Sequence, residues 1–469
     1  VNTVDLFSPW ATVSQHYCVP SQLTFKMALG EAPEHVPALR DVRLGVEQSD
    51  DQFDGGPVRR ILHRFSSDLR VTRVHTSAMS LAAPGHAHRG FDDVEHALGL
   101  SRIFRMEASQ PFDVEGAVDA LRQFACVESA SPLYLNVLPF KSPATEPCSR
   151  DLAWQSREQI NASEAMAYEP GDPAVIVGLV DTGVAFNHPE LHERLRSGFD
   201  TVTLGSSDLA QGMMLLAKGD SPGPHPDDRV GHGTSCAAII GGRGENIPPG
   251  LAIQCGLLPM QVLGAVRVVG REEPVGVGAI PDIDHGLKLA IDLGAKVLNL
   301  SFGTPVSSLR EGDPLPHEEV IRYALARGCV LIAASGNSGT TALFSPACLE
   351  GVIAVGAVDA ENRVTSFTTR GAHVALCAPG LRVATAGLSG YQLATGTSFA
   401  APFVSATSAL MISRALRRSK SLDAATVKRL LVEAAQPHAR GTGEGAGVGI
   451  LDAHAALAAV DKWADQNEE

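Results

Sequence analysis

No Cys-x-x-Cys pair occurs in the 469 residues; eight cysteines stand singly at positions 18, 126, 148, 236, 255, 329, 348 and 377. A zinc ribbon and a thioredoxin-type redox site are therefore not indicated. Thiols this sparse cannot staple a scaffold. Cys329 and Cys377 lie in apolar runs and read as buried free thiols. Basic residues are in deficit, 38 Lys and Arg against 52 Asp and Glu, for a net charge of −14. That balance argues against nucleic acid or an anionic membrane surface as the main partner. No apolar run reaches the length of about 18 residues that a membrane span needs, so no span is expected. The opening "VNTVDLFSPWATVSQHY" lacks a basic leader followed by an apolar core. The expectation is cytoplasmic synthesis, with any export by a non-classical route. Internal repeats and low-complexity tracts are also missing.

What is present is core-forming material. Hydrophobic residues make up 44% and charged residues 19%, which excludes wholesale disorder, a coiled coil and a collagen-like rod. At roughly 150 residues per domain the length suits two or three domains. Residues 1–140 read as a small α+β domain. "QLTFKMAL" has the alternation of a strand, "PVRRILHRF" is a helix with Pro57 in its first turn, and "RVTRVHTS" and "RIFRMEAS" are strands. Asp113 caps a second helix, with Val114, Val118, Leu121 and Ala125 at helical spacing, and "VESASPLYLNVLPF" is a last strand. The order strand, helix, strand, strand, helix, strand is ferredoxin-like. The polar stretch between the first strand and Pro57 reads as an irregular insertion. Residues 141–151, "KSPATEPCSRD", form the best linker in the chain. From 152 to 469 the pattern changes. Five apolar strands ("AVIVGLVD", "GLLPMQVL", "AKVLNLSFG", "CVLIAASGN", "GVIAVGAV") alternate with helical segments such as "IPDIDHGLKLAIDLG". That is the mark of an α/β domain, a mostly parallel sheet with helices on both faces and functional groups at the strand C-terminal ends.

Three segments carry chemistry. Asp181 closes an apolar strand in "VGLVDTGVAFNHPEL", His232 opens a small-residue helix in "GHGTSCAAIIGG", and Ser398 opens another in "TGTSFAAPFVSATSALM". A serine hydroxyl needs a base to take its proton, imidazole is the base suited to neutral pH, and a buried carboxylate fixes the imidazole tautomer. A helix start surrounds Ser398 with unpaired N–H groups that favour developing negative charge. In a fourth segment, "AASGNSG", Asn337 offers a side-chain amide which, with the Ser398 backbone N–H, would supply two oxyanion donors.

These segments resemble the subtilisin family of serine endopeptidases, with "DTG", "HGTSCAA" and "GTSFAAP" in the family's Asp, His, Ser order. "AASGN" and "NLSFG" match its oxyanion and substrate-binding segments, and the likeness runs over about residues 152–460. The resemblance implies cleavage of protein or peptide substrates through an acyl-enzyme. Asp181 would orient the base, His232 would be base and then acid, Ser398 the nucleophile and Asn337 the oxyanion donor. It implies further that Ser301, Phe302 and Gly303 pair with substrate backbone, and that Ala333, Ala334 and Ser335 wall the pocket before the scissile bond. The first domain is similar to the family's propeptide. The own N-terminal domain, or a separate inhibitor protein, is thus an expected partner. The contrasting expectation is a latent or inactive member that mainly binds peptides or partners. No cofactor or catalytic metal is implied. Structural calcium, common in the family, has a candidate place at "GGRGENIPPG", with Glu245 and Asn246.

Other features have simpler readings. Cys236 lies one turn beyond His232 on the same helix face, where a branch of the family carries a free cysteine. His188 reads as part of a Pro-bounded turn, Asn299 as structural, and Arg414, Arg417, Arg418 and Lys420 as a solvated helix end. His86 and His88 form a His-x-His pair with no third ligand nearby.

Overall fold

The computed structural model describes residues 18–49, 53–78, 90–138, 150–191, 195–210, 212–216, 225–441 and 443–467. His86, His88, Cys148 and residues 141–149 of the expected linker lie outside them; Arg150 and Asp151 already belong to the helix Arg150–Glu158.

The N-terminal unit is built on four antiparallel strands, β1 (Cys18–Met27), β2 (Leu69–Arg73), β3 (Ile103–Ala108) and β4 (Val127–Leu138), in the spatial order β2-β3-β1-β4. This is the expected ferredoxin-like order. Phe25 and Phe104 are register partners across β1 and β3, and Phe53 meets both edge-on at 5.2 and 5.0 Å. Such aromatic contacts add to the burial that closes a small core. The helix Val114–Leu121 covers it with Val114, Val118 and Leu121, and its Asp113 cap accepts from Gly116 N at 2.9 Å. The expected insertion after β1 is not wholly irregular: Leu39–Arg43 is a short helix with Leu39 buried.

The larger unit contains β5 (Ile176–Asp181), β6 (Phe199–Asp200), β7 (Met213–Leu215), β8 (Gly256–Gln261), β9 (Gly264–Val268), β10 (Val275–Ala279), β11 (Ala295–Leu300), β12 (Thr304–Pro305), β13 (Val330–Ala334), β14 (Phe344–Ser345), β15 (Ile353–Val358) and β16 (Val374–Pro379). Its main sheet is parallel, ordered β16-β15-β13-β11-β5-β8-β6. The strands are apolar because helices shield both sheet faces from water. The helix Thr397–Arg417 packs on β11, β13 and β15, and the helix Ile280–Asp292 packs on β5, β8 and β11. Thr397–Arg417 is long and apolar enough to cross a membrane by composition, contrary to the expectation from apolar runs. Its most apolar window is 83% buried inside the protein, so that surface already serves the core.

The two units share a second sheet. The N-terminal half of β4 pairs with β1, and its C-terminal half pairs antiparallel with β10, Leu135 against Ala279 through Leu138 against Gly276. Seven strands, β2-β3-β1-β4-β10-β9-β7, therefore run through both units. Around this seam the units exchange charged side chains. Arg105 meets Asp282 at 3.1 Å and Lys288 meets Glu95 at 2.5 Å, all four side chains at most 2% exposed. Lys26 pairs with Glu319 at 3.1 Å, and Asp313 takes both Arg122 and Tyr134. Buried pairs of this kind fix one docking geometry more than they add net stability.

The basic cluster at the end of Thr397–Arg417 is not simply solvated. Arg414 pairs with Asp461, Arg417 with Glu169 and Arg418 with Asp465. The helix Ala453–Gln466 supplies two of these carboxylates by packing alongside.

Candidate active site

β5 is central in its sheet and delivers Asp181, wholly buried, at its C-terminal end. The strand stops because Gly183 turns the chain at φ +96°, a conformation that side chains disfavour. A Cβ there would lie 2.4 Å from Pro226 O, so the position is doubly restricted to glycine.

His232 begins the helix His232–Gly241, whose first turn sits on that same strand end. A Cβ on Gly233 would fall 2.1 Å from Gly183 O, so only glycine lets helix and turn approach this closely. The approach places His232 Nδ1 at 2.8 and 3.0 Å from the two Asp181 carboxylate oxygens. A carboxylate accepts, so Nδ1 carries the proton and Nε2 is left as the basic nitrogen.

Asp228, which sequence reading passed over, pins this corner. Its buried carboxylate accepts from Val230 N, Gly231 N, Thr234 N, Thr234 Oγ1 and Thr182 Oγ1 at 2.7–3.0 Å. It satisfies N–H groups of the helix start while holding the residue next to Asp181. The available signal was an acid four residues ahead of the helix.

Ser398 is the second residue of Thr397–Arg417, and its hydroxyl donates to Ser301 O at 3.1 Å. Pro402 stands four residues on and has no N–H for the Ser398 carbonyl. Two side chains stand in: Ser301 Oγ at 2.8 Å and Cys236 Sγ at 3.4 Å. Asn299 Nδ2 donates to Ser301 Oγ at 2.9 Å and Ser405 Oγ to Asn299 Oδ1 at 2.9 Å, a buried chain in keeping with a structural Asn299. The His232 ring lies 5.3 Å from the Phe399 ring, centroid to centroid.

Asn337 is exposed just beyond β13, and its Oδ1 accepts from both Thr397 N and Thr397 Oγ1 at 2.9 Å. The amide is thereby locked with Nδ2 as its free donor end. Gly396, at φ +148°, lies alongside, in a backbone conformation that side chains disfavour. Ser301–Gly303 and Ala333–Ser335 leave the adjacent strands β11 and β13 side by side. Ala333, Ala334 and Ser335 are buried, Phe302 is buried, and Gly303 is half-covered by Phe344.

Cys236 completes a tight group, its sulfur within 4.8 Å of ligand atoms of Asp181 and His232. Burial, then the Asp181 charge, push its thiol well up. With Nδ1 committed to Asp181 and the thiol protonated, the group is made for hydrogen bonding rather than for a cation. The candidate calcium loop does not suit a cation either. Gly244 N, Glu245 N and Asn246 N all point at the buried Glu190 carboxylate, at 2.7–3.1 Å. A cation needs converging oxygens, whereas this loop turns N–H groups inward. His188 is buried in its turn, with Nε2 3.1 Å from Gly390 O.

A family model described as the Subtilase family matches residues 172–451. The chain belongs to the subtilase family. This subtilase is 33% identical over 304 residues to the thermophilic serine proteinase of Bacillus sp. (strain AK1), covering 64% of this chain and 67% of that one. It is 33% identical over 258 residues to thermitase of Thermoactinomyces vulgaris, covering 55% and 81%. Among solved structures it resembles the prenylagaramide maturation protease PagA, with a TM-score of 0.50 and 26% identity over 64% of this chain and 98% of that one. A protease of Pseudoalteromonas arctica shares the fold, with a TM-score of 0.55 and 22% identity over 68% and 100%. The subtilase is a subtilisin-like serine protease, an enzyme class whose triad chemistry uses no cofactor.

Proposed function

We propose that the chain is a serine endopeptidase made as a self-inhibited zymogen. Asp181 orients His232, His232 Nε2 takes the Ser398 proton, and Ser398 Oγ attacks the scissile carbonyl. The hydroxyl leaves Ser301 O for the imidazole as this begins. Asn337 Nδ2 and the Ser398 backbone N–H receive the oxyanion. His232 then returns its proton to the leaving amine, and water repeats the cycle on the acyl-enzyme. Ser301–Gly303 would hold substrate backbone as an added strand, with Ala333–Ser335 beside the side chain that precedes the cut. The observation that carries this reading is the buried His232 Nδ1–Asp181 contact at 2.8 Å, together with Ser398 in the first turn of the helix Thr397–Arg417.

The zymogen reading rests on the end of β4. Residues 135–138 pair with β10, and Asn136 Nδ2 donates to Thr304 Oγ1 at 3.0 Å, next to Gly303. The chain's own strand thus runs beside the segment proposed to hold substrate. A fluorophosphonate should label wild type and not Ser398→Ala, and incubated wild type alone should gain new N-termini beyond Leu138. Labelling of both proteins would place the nucleophile elsewhere. An uncut chain with full activity would overturn the inhibitory role.

A further inference from the structure

A cavity of about 260 Å³ lies between the two units, away from the triad. The N-terminal unit contributes Arg40, Arg43 and Arg105, and the larger unit contributes Asp200, Asp282 and His285. Much of the remaining wall is apolar, including Leu39, Val74, Phe199 and Leu289. Three guanidiniums thus face two carboxylates, one positive charge in excess. The Asp282 carboxylate is already taken by Thr203 N, Thr203 Oγ1 and Arg105 Nη1, at 2.7–3.1 Å.

The donors are underused. Arg105 is 1% exposed and its Nη2 has no partner among the described residues. His285 is 7% exposed and neither ring nitrogen has a partner there. Burial, and then the Arg40 charge, hold His285 down to about 3, so the ring is neutral and offers one N–H. Arg40 lies over the Phe199 ring at 5.6 Å and is offered no hydrogen-bond acceptor among the described residues. Arg40 is half-buried, but at Arg105 and His285 buried groups without partners cost free energy, and native structures rarely keep several together.

We propose that this cavity binds a small monocarboxylate with an apolar body, its head group on Arg105, Arg40 and His285 and its tail among the leucines. At about 30 Å³ per water-sized group, the volume suits about nine non-hydrogen atoms. The ligand would touch both units, so it favours their association by mass action. Its effect on activation, slower loss of the N-terminal unit, rests on the zymogen reading; its binding does not.

Titration calorimetry on the full chain carrying Ser398→Ala, with octanoate and its neutral isostere octanamide, tests the site. One octanoate should bind per chain, about tenfold or more tighter than octanamide. Arg40→Gln, which breaks no hydrogen bond among the described residues, should weaken octanoate about tenfold, as should Arg43→Gln, which removes a second lining charge together with its bond to Thr203 O at 2.6 Å. Arg429→Gln, at an exposed position of the helix Ala424–Glu433 and not among the cavity-lining residues, should change nothing. Equal binding of the two probes, no binding of either because only solvent fills the space, or unchanged affinity in both arginine variants would overturn the proposal. Octanoate should also slow N-terminal processing of wild type. Intact binding with unchanged processing would count against the zymogen reading and leave the site standing.

Discussion

The Ser398 carbonyl is a sensitive point, because Pro402 denies it the usual helical donor and two side chains compensate. Ser301→Ala removes the 2.8 Å donor to that carbonyl and the acceptor of Asn299 Nδ2. Asn299 and Ser301 are 0% exposed and Ser398 is 5% exposed, so water cannot readily replace what is lost. An orphaned buried polar group costs about 1–3 kcal/mol. The thiol still supplies the carbonyl weakly, so the single variant should lose about 2–4 kcal/mol. Cys236→Ala alone removes only the weaker donor and should lose about 1–2 kcal/mol, part of it for the space left behind. The double variant leaves the carbonyl with neither donor and should lose about 1 kcal/mol more than the sum. Urea unfolding in a Ser398→Ala background measures this cycle, since that change keeps the carbonyl and prevents self-digestion. Additivity to within about 0.5 kcal/mol would refute a shared acceptor.

Three further outcomes are expected. Gly233→Ala would place a Cβ 2.1 Å from Gly183 O, so the His232 helix must move off Asp181; kcat/KM should fall at least about a hundredfold while circular dichroism stays native. Asn337→Leu should lower kcat about 100- to 1,000-fold with little change in KM, the loss that subtilisin shows without its asparagine donor. Burial holds His285 down to about 3 and His75 well below its ordinary value. The unfolded chain takes up their protons below about 6.5 and the folded chain does not, so stability falls as pH drops from about 6.5 toward 3, by up to ~1.4 kcal/mol per unit for each histidine. Tm profiles of Ser398→Ala with and without His75→Phe and His285→Phe should differ in slope over that window, and parallel profiles would exclude the effect.

The five apolar strands and the segments that carry Asp181, His232 and Ser398 were legible because a buried parallel sheet writes itself as continuous apolar runs and polar groups stand out at the ends. The seam was not. β9 and β10 carry glycines at 264, 276 and 278, which blur any alternation, and the pairing of β10 with β4 joins residues well over a hundred positions apart. Asp228 was hidden because a carboxylate in "PDDRVG" looks like ordinary loop until the helix start closes over it. The Glu190 plug was equally hidden, lying 54 positions or more from the amides it gathers. The basic cluster misled for the same reason: Asp461 and Asp465 reach it only through tertiary packing.

β10 has a neighbour on each side only while β4 is in place. Strip β4 away and a row of unsatisfied amides and carbonyls faces water, the kind of margin that gathers stray extended chain and, in most proteins, invites clumping. If β4 leaves as the zymogen reading has it, that same stickiness would suit a protein-cutting enzyme, since an open strand margin takes hold of any backbone whatever its side chains. The N-terminal unit would then be a guard as well as a brake, keeping the grip sheathed until there is something to seize.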